Sequence, residues 1–539
     1  MDHSASPKWA TSYLGQFQTA RSLNRRIVLL SGPTNSGKTH TAMQELMKAS
    51  SGVYLAPLRL MAIENHDRMT GCGLEAGLVT GDERISPDAK WSSRTIETMS
   101  LNTVVDVGII DEVQMLSDPD RGWAWTQAIL GCPARTLYIA GAPEAMDAVV
   151  SLLAVVGEVP EIRHFQRKTP LKLMTSPVGL DGLTAGDAVI AFSRKDVLEI
   201  VALIGEDRAV PLYGAMTPEV RRRVSQMFRA EDRPILVATD AIGMGLNLPV
   251  KRILFSTTTK YDGKKSRDLL PGEIRQIGGR AGRYGLTEKG FVGTIALPGR
   301  RASEHLIRSA LLVSPPPIRM TVWQAGPSST MLDRLEETLR ACGWQSPTLL
   351  AVLREAMKTI NGERGKESPF IYQTTKDQEK VIGIIDHAIT SDRYLPASVL
   401  FSYLSCPMPL GSAAYGSAAA NRMTSWIRRH ADGDVIVPDH ALLSIPDTLL
   451  EQEQNSRILT GYVWLAMKYP DVYVQEADAR EALETLNRTI IHALSKPKPA
   501  KVRKRDMIAT PKRQEHASKS RFKTRSRATR RQMASVAMI

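Results

Sequence analysis

The chain's 539 residues are too many for one hydrophobic core and predict about three domains, and 43% hydrophobic with 23% charged content marks a globular protein. No apolar run nears the ~18 residues of a membrane span, so no membrane partner is expected; four scattered cysteines (Cys72, Cys132, Cys342, Cys406) argue against a zinc site or a disulfide framework and fit a reducing compartment. The net charge of +14 is concentrated in one place: Lys496 to Arg531 holds fifteen Lys and Arg against Asp506 and Glu515, a balance of +13.

Arg21, Arg25 and Arg26, with the single acid Asp2, precede the first strand and read as an ordinary lead-in rather than a transit segment. The apolar run Ile27-Val28-Leu29-Leu30 then meets Gly32-Pro33-Thr34-Asn35-Ser36-Gly37-Lys38-Thr39, and a helix is predicted from Lys38 to Lys48. Strand, glycine loop and helix start, in that order, make a cradle for phosphate. Gly32 and Gly37 let the backbone turn its N–H groups inward, Lys38 can reach the β- and γ-phosphates, and the Thr39 hydroxyl can hold Mg²⁺. Apolar runs then alternate with amphipathic stretches, as in a parallel sheet wrapped by helices. Val53 to Arg59 and Leu78 to Arg84 each read as a strand ending in a loop, and Thr95 to Met99 as a polar-capped strand or helix entrance. Val104 to Ile110 is a buried strand whose carboxyl end carries Asp111-Glu112-Val113-Gln114, the edge where open parallel sheets place ligands. There Asp111 suits Mg²⁺ and Glu112 suits polarisation of an attacking water. Trp123 and Trp125 read as core packing on the following helix, and Leu137 to Pro143 as a strand ending in a small-residue turn.

A second alternating stretch runs from about 166 to 310. Its alternation runs through Val189 to Lys195, Pro211 to Gly214 and Pro234 to Asp240; the last is followed by the glycine-punctuated turn Ala241-Ile242-Gly243-Met244-Gly245-Leu246-Asn247-Leu248. In Gln276-Ile277-Gly278-Gly279-Arg280-Ala281-Gly282-Arg283, two arginines three apart are expected on one helix face, able to converge on an anion. With no phosphate loop of its own, this lobe is expected to close on the first and supply arginine fingers. From about 311 the chain turns Leu- and Ala-rich, as in Met331 to Leu339, after the linker Ser314-Pro315-Pro316-Pro317, and reads as helical. Beyond about Leu494 apolar content collapses, so 496–539 is expected to be a disordered basic tail. The fold class is therefore α/β: two parallel-sheet lobes (1–165 and 166–310), RecA-like by the resemblance that their motifs carry, a mainly helical domain (311–495) and the tail.

GPTNSGKT, APLRL, LVTGDER, DEVQ, AFSRKD, ATDAIGMGLNL and QIGGRAGR occur in the order of superfamily 2 helicase motifs. GPTNSGKT, DEVQ, DPDRGWAWT and ATDAIGMGLNL together resemble the mitochondrial degradosome RNA helicases and their bacterial relatives, strongly over 27–295 and weakly near Gly461 to Pro470. The resemblance implies an ATP-dependent RNA helicase moving 3′ to 5′ on a single strand with duplex ahead, with an exoribonuclease as partner, and a helical domain lining the RNA exit path. It implies ATP and Mg²⁺ held by 32–39 and Asp111, with Asp240 and Gly243 on the nucleotide side. By the same resemblance Glu112 activates water, Arg280 and Arg283 act on the γ-phosphoryl group, and Gln114 and Gln276 couple it to lobe closure. Pro57, Arg59, Thr95, Ser193, Arg194 and Thr239 would lie near the strand's backbone. The family's mitochondrial members carry a long region ahead of the phosphate loop, and the family tends to have an acid where this chain reads Ala-Gly-Ala-Pro-Glu-Ala (140–145). On the first departure the expected location is a bacterial cytoplasm rather than the mitochondrial matrix. The rival readings are a DNA helicase, because such folds grip backbone more than base, and a non-enzymatic RNA-binding scaffold whose ATPase site has decayed.

Overall fold

The computed structural model describes residues 13–495 apart from 82, 215, 217–222, 225, 229–233, 244–247, 263–264, 283–287, 363–367, 391, 409 and 411–415. Asp82, Met244 to Asn247, Arg283 and the basic tail therefore lie outside the described residues.

The first lobe is built on strands β1 (Arg26–Ser31), β2 (Gly52–Ala56), β3 (Ala76–Val79), β4 (Arg84–Ile85), β5 (Trp91–Thr95), β6 (Val105–Ile110), β7 (Ala134–Gly141) and β8 (Glu161–His164). They form one sheet in the order β4-β3-β5-β2-β6-β7-β1-β8, parallel except for the β3–β4 pair. The central strands read as continuous apolar runs because helices cover both faces. Side chains alternate between those faces: Ile27 and Leu29 enter one apolar core, Val28 and Leu30 another.

The second lobe has β9 (Leu171–Leu173), β10 (Asp187–Ile190), β11 (Ala209–Leu212), β12 (Ile235–Ala238), β13 (Arg252–Phe255), the hairpin β14 (Thr259–Tyr261) and β15 (Ser266–Asp268), and β16 (Gly290–Thr294). Its sheet is parallel throughout, in the order β11-β12-β10-β13-β16-β9, around its own apolar core. The helix Glu304–Leu312 is continuous across residue 310.

Beyond it lie the helices Ser329–Ala341, Leu349–Asn361, Lys376–Ala388, Ala397–Ser405, Gly416–Ala431, Leu449–Lys468 and Glu476–Ser495. Ser328, Thr348, Thr375 and Thr448 each cap a helix start by accepting from an N–H three residues on, which satisfies a donor the helix cannot. Helical periodicity did not foretell the short parallel pairing of Trp323–Gln324 with Phe370–Ile371. The first lobe and the helical region share one apolar core, which includes Phe17, Trp125, Leu332 and Tyr462. Among the described residues no helix is long and apolar enough to cross a membrane, and no cluster of His, Cys, Asp and Glu is arranged to hold a metal.

Candidate active site

The strand order places β7 between β6 and β1, so three carboxyl ends meet: the phosphate loop after β1, Gly141 and Ala142 after β7, and Asp111 after β6. The loop departs from β1 with the Gly32 N–H donating to Gly141 O at 3.2 Å. A Cβ at Gly32 would stand 2.6 Å from Phe165 O, so only glycine fits there. Asn35 (φ 61) and Gly37 (φ 92) are left-handed, and Gly37 caps the helix Lys38–Lys48. That curl leaves the first N–H groups of the helix turned towards the loop's concave side, a seat for an anion. Lys38 Nζ is folded into the loop, donating to Gly32 O at 2.6 Å and Pro33 O at 2.8 Å. Burial lowers the ammonium's pKa, while Glu112 and Asp111 pull it back up.

Thr39 Oγ1 donates to Asp111 Oδ2 at 3.0 Å, so a hydroxyl and a carboxylate converge beside the loop. Tyr54 OH, from the centre of the sheet, donates to the same oxygen at 2.9 Å, and the buried Trp125 Nε1 donates to Asp111 O at 3.0 Å. Burial first, and the neighbouring Glu112 second, raise the Asp111 carboxyl pKa against those hydrogen bonds. Two oxygen donors beside a phosphate cradle are the set a Mg²⁺–nucleotide needs, and the residues present fit that pair. Glu112 sits in a left-handed backbone (φ 52) rarely occupied by a long side chain, a strained conformation that functional sites often hold. Gln114 Nε2 donates to Glu112 Oε2, and Gln114 Oε1 accepts from Ala142 N at 3.1 Å. The small-residue turn after β7 is thus bonded to the acidic pair through Gln114.

Across the cleft, Arg280 Nη2 lies 3.4 Å from Glu112 Oε1 and 2.7 Å from Gly243 O. The expected helix face is corrected for Arg280: the helix Pro271–Gly278 ends first, at the Gly278-Gly279 pair, and Arg280 stands in the turn beyond, while Arg283 lies outside the described residues. Gln276 lies on that helix, its side chain beside Gly243, while Asp240 accepts from Lys260 Nζ at 3.3 Å.

The residues expected near a nucleic-acid strand fall at the carboxyl edges of the two sheets. Pro57 follows β2, Thr95 is the last residue of its partner β5, and Thr95 is buried. Arg59 opens the helix Arg59–Gly71, its guanidinium beside Gly81. Ser193 is committed to capping the helix Arg194–Ile204, and Thr239 is buried at the end of β12. Arg194 is engaged by Glu453 of the helical region at 2.7 Å and lies over the Tyr213 ring.

Sequence reasoning missed three polar partners of this site. Tyr54 sits in an apolar run that signalled only a strand. Arg121, inside the DPDRGWAWT motif, joins Glu97 and Pro57 O, each at 2.6 Å. Arg167, between the lobes, gave no signal at all; its Nη1 donates to Thr34 O at 3.0 Å and to Gly279 O at 2.8 Å.

Residues 14–165 match the DEXQ-box helicase domain of Suv3, residues 178–285 the helicase conserved C-terminal domain, and residues 449–496 the ATP-dependent RNA helicase SUV3 C-terminal domain. The chain is 32% identical to the mitochondrial ATP-dependent RNA helicase SUV3 of Oryza sativa subsp. japonica, over 92% of this chain and 84% of that protein. It is 30% identical to the corresponding protein of Saccharomyces paradoxus, over 86% of this chain and 64% of that one. With human SUPV3L1 the identity is 31%, over 89% and 62% respectively. The chain thus spans under two thirds of the yeast and human relatives. All three are named as mitochondrial, which overturns the expectation of a bacterial cytoplasm; that expectation rested on the region ahead of the phosphate loop, where no folding signal carries an address.

Proposed function

Because this chain belongs to the Suv3 family of ATP-dependent RNA helicases, we propose that it hydrolyses ATP between its two lobes and spends the cycle moving 3′ to 5′ along RNA. The observation that carries the proposal is the meeting of Lys38, Thr39, Asp111 and Glu112 from the first lobe with Arg280 from the second. Residues 32–39 would hold the phosphates, and Thr39 with Asp111 would hold Mg²⁺, which when bound neutralises charge on the phosphate oxygens. Tyr54 holds the Asp111 carboxylate and Trp125 its main-chain carbonyl, so the acid is oriented before any ligand arrives. Glu112 takes the proton of the attacking water, and Gln114 holds that carboxylate in place. Arg280 leaves Glu112 for the charge that develops in the transition state, a change that requires the lobes to be closed. RNA is the favoured polymer because the relatives are named for it, and a mitochondrial setting goes with the same names. An exoribonuclease partner follows from the family resemblance alone.

Turnover of ATP measured in parallel with no polymer, single-stranded RNA and single-stranded DNA tests the reading. Wild type is expected to be stimulated most by RNA, and Glu112→Gln to bind ATP yet turn it over roughly 10²- to 10⁴-fold more slowly. Equal stimulation by DNA would favour a DNA helicase, and unimpaired Glu112→Gln turnover would remove Glu112 from the chemistry.

A further inference from the structure

Arg167 lies on the chain segment that joins the lobes, three residues past the end of β8. Its Nε donates to Thr169 O at 2.7 Å, its Nη1 to Thr34 O at 3.0 Å and Gly279 O at 2.8 Å, and its Nη2 to Ala281 O. Every acceptor described for it is a main-chain carbonyl, and burial pushes its pKa down to about 10, which leaves it charged at neutral pH. A planar fork of donors can bridge carbonyls from three separate segments at once, which a lysine ammonium cannot do with the same geometry. Two of those carbonyls, Gly279 and Ala281, flank Arg280, and Thr34 belongs to the phosphate loop. The contact is close on both sides: a Cβ at Gly279 would stand 3.1 Å from Thr34 Cβ, and one at Gly282 would stand 2.9 Å from Thr169 Cγ2. Asn35 Nδ2 reinforces it from the phosphate loop, donating to Gly279 O at 3.1 Å and Gly282 O at 3.3 Å.

We infer that Arg167 is a positioning residue: it registers the turn that carries Arg280 against the phosphate loop, so that closing the cleft delivers one guanidinium to one place. This rests on the ATPase reading above, since the register matters for turnover only if Arg280 acts there. The bonds themselves do not depend on a nucleotide.

Full-length wild type, Arg167→Met and Arg167→Lys separate the possibilities. The first readout is hydrogen exchange without nucleotide, in peptides covering 32–37 and 276–282. The second is the split of kcat from KM for ATP with a single-stranded RNA homopolymer present. In Arg167→Met, exchange in both loops is expected to rise at least about tenfold, the least that losing these charge-assisted bonds should give. The kcat is expected to fall roughly 10²-fold with little change in KM, because misplacement by about 1 Å costs that much. Arg167→Lys should recover part of both. Wild-type exchange in Arg167→Met would overturn the inference. So would equal losses in kcat and in 1/KM accompanied by a lowered melting temperature, with lysine no better than methionine. If wild type itself hydrolyses no ATP, the ATPase reading fails instead. Exchange alone then decides: faster exchange in both loops of Arg167→Met upholds the register, and unchanged exchange removes it.

Discussion

Arg194 is expected at the nucleic-acid strand yet is held by Glu453, and replacing Glu453 with glutamine asks which role governs. The pair spans 2.7 Å, with the arginine side chain 34% and the glutamate 20% exposed. A partly solvated pair of that kind is worth about 1 kcal/mol or less. A phosphate that takes Arg194 must first displace Glu453, so Glu453→Gln should tighten single-stranded RNA binding up to about fivefold. One further phosphate contact should also steepen log affinity against log salt by about 0.7. Anisotropy titrations of labelled RNA at several salt concentrations read both numbers. The double variant Arg194→Gln/Glu453→Gln should return to the wild-type slope or below it. Superimposable curves for wild type and Glu453→Gln would mean that Arg194 never meets the strand and that the pair serves only to hold the helical region to the second lobe.

Lys38→Ala should abolish ATP turnover while leaving RNA affinity without nucleotide within about twofold, because the ammonium bonds inside the phosphate loop, to Gly32 O and Pro33 O, and not to Pro57 or Ser193; a parallel loss of RNA binding would contradict that division of roles. Glu273 tests the second lobe by acid: burial opposes its ionisation, but bonds from Arg267 and Lys260 and the Leu270 N–H outweigh it and hold the carboxyl down at about 2. Because that folded-state pKa lies below the ordinary 4.5, the stability it adds is full above pH ~4.5 and fades as pH falls towards 2. The melting-temperature gap between wild type and Glu273→Gln should therefore be widest at pH 6 and narrow by pH 3.5, and a gap independent of pH would refute the assignment.

What the sequence made legible is whatever one short segment decides. The phosphate loop is such a case, because an apolar strand, Gly37 with its positive φ and a helix start are consecutive residues. Asp111 is another, since its place follows from the end of β6. Partners set by crossovers were out of reach: Tyr54 meets Asp111 across 57 positions, and Arg167 meets Thr34 across 133. Carbonyl acceptors add to the difficulty, because every residue has one and none stands out. The expected arginine helix face failed for a local reason, the glycine pair that ends the helix just before Arg280. Periodicity also identified the third region as helical without saying which surface receives its apolar faces.

That surface is the first lobe, and the consequence is mechanical. Phe17, Trp125 and Leu137 share one core with Leu332, Leu353 and Tyr462, so separating the helical region from the first lobe would expose apolar area at roughly 25 cal/mol per Å². The second lobe keeps its own core, joined from across the cleft by Leu60. Its other described ties to the rest at the site are polar: Arg167 and Asn35 on the carbonyls of 279–282, Arg280 on Glu112, and Arg194 on Glu453. Water can replace hydrogen bonds on opening with a small net cost, about 1 kcal/mol each, whereas it cannot replace buried apolar contacts. An opening of the cleft would therefore part the second lobe from the first lobe and the helices, which share one core. A ligand that binds the closed arrangement better by a few kcal/mol is enough to shift such a balance, and on the proposed ATPase reading Lys38 and Arg280 would supply the differential contacts to a triphosphate.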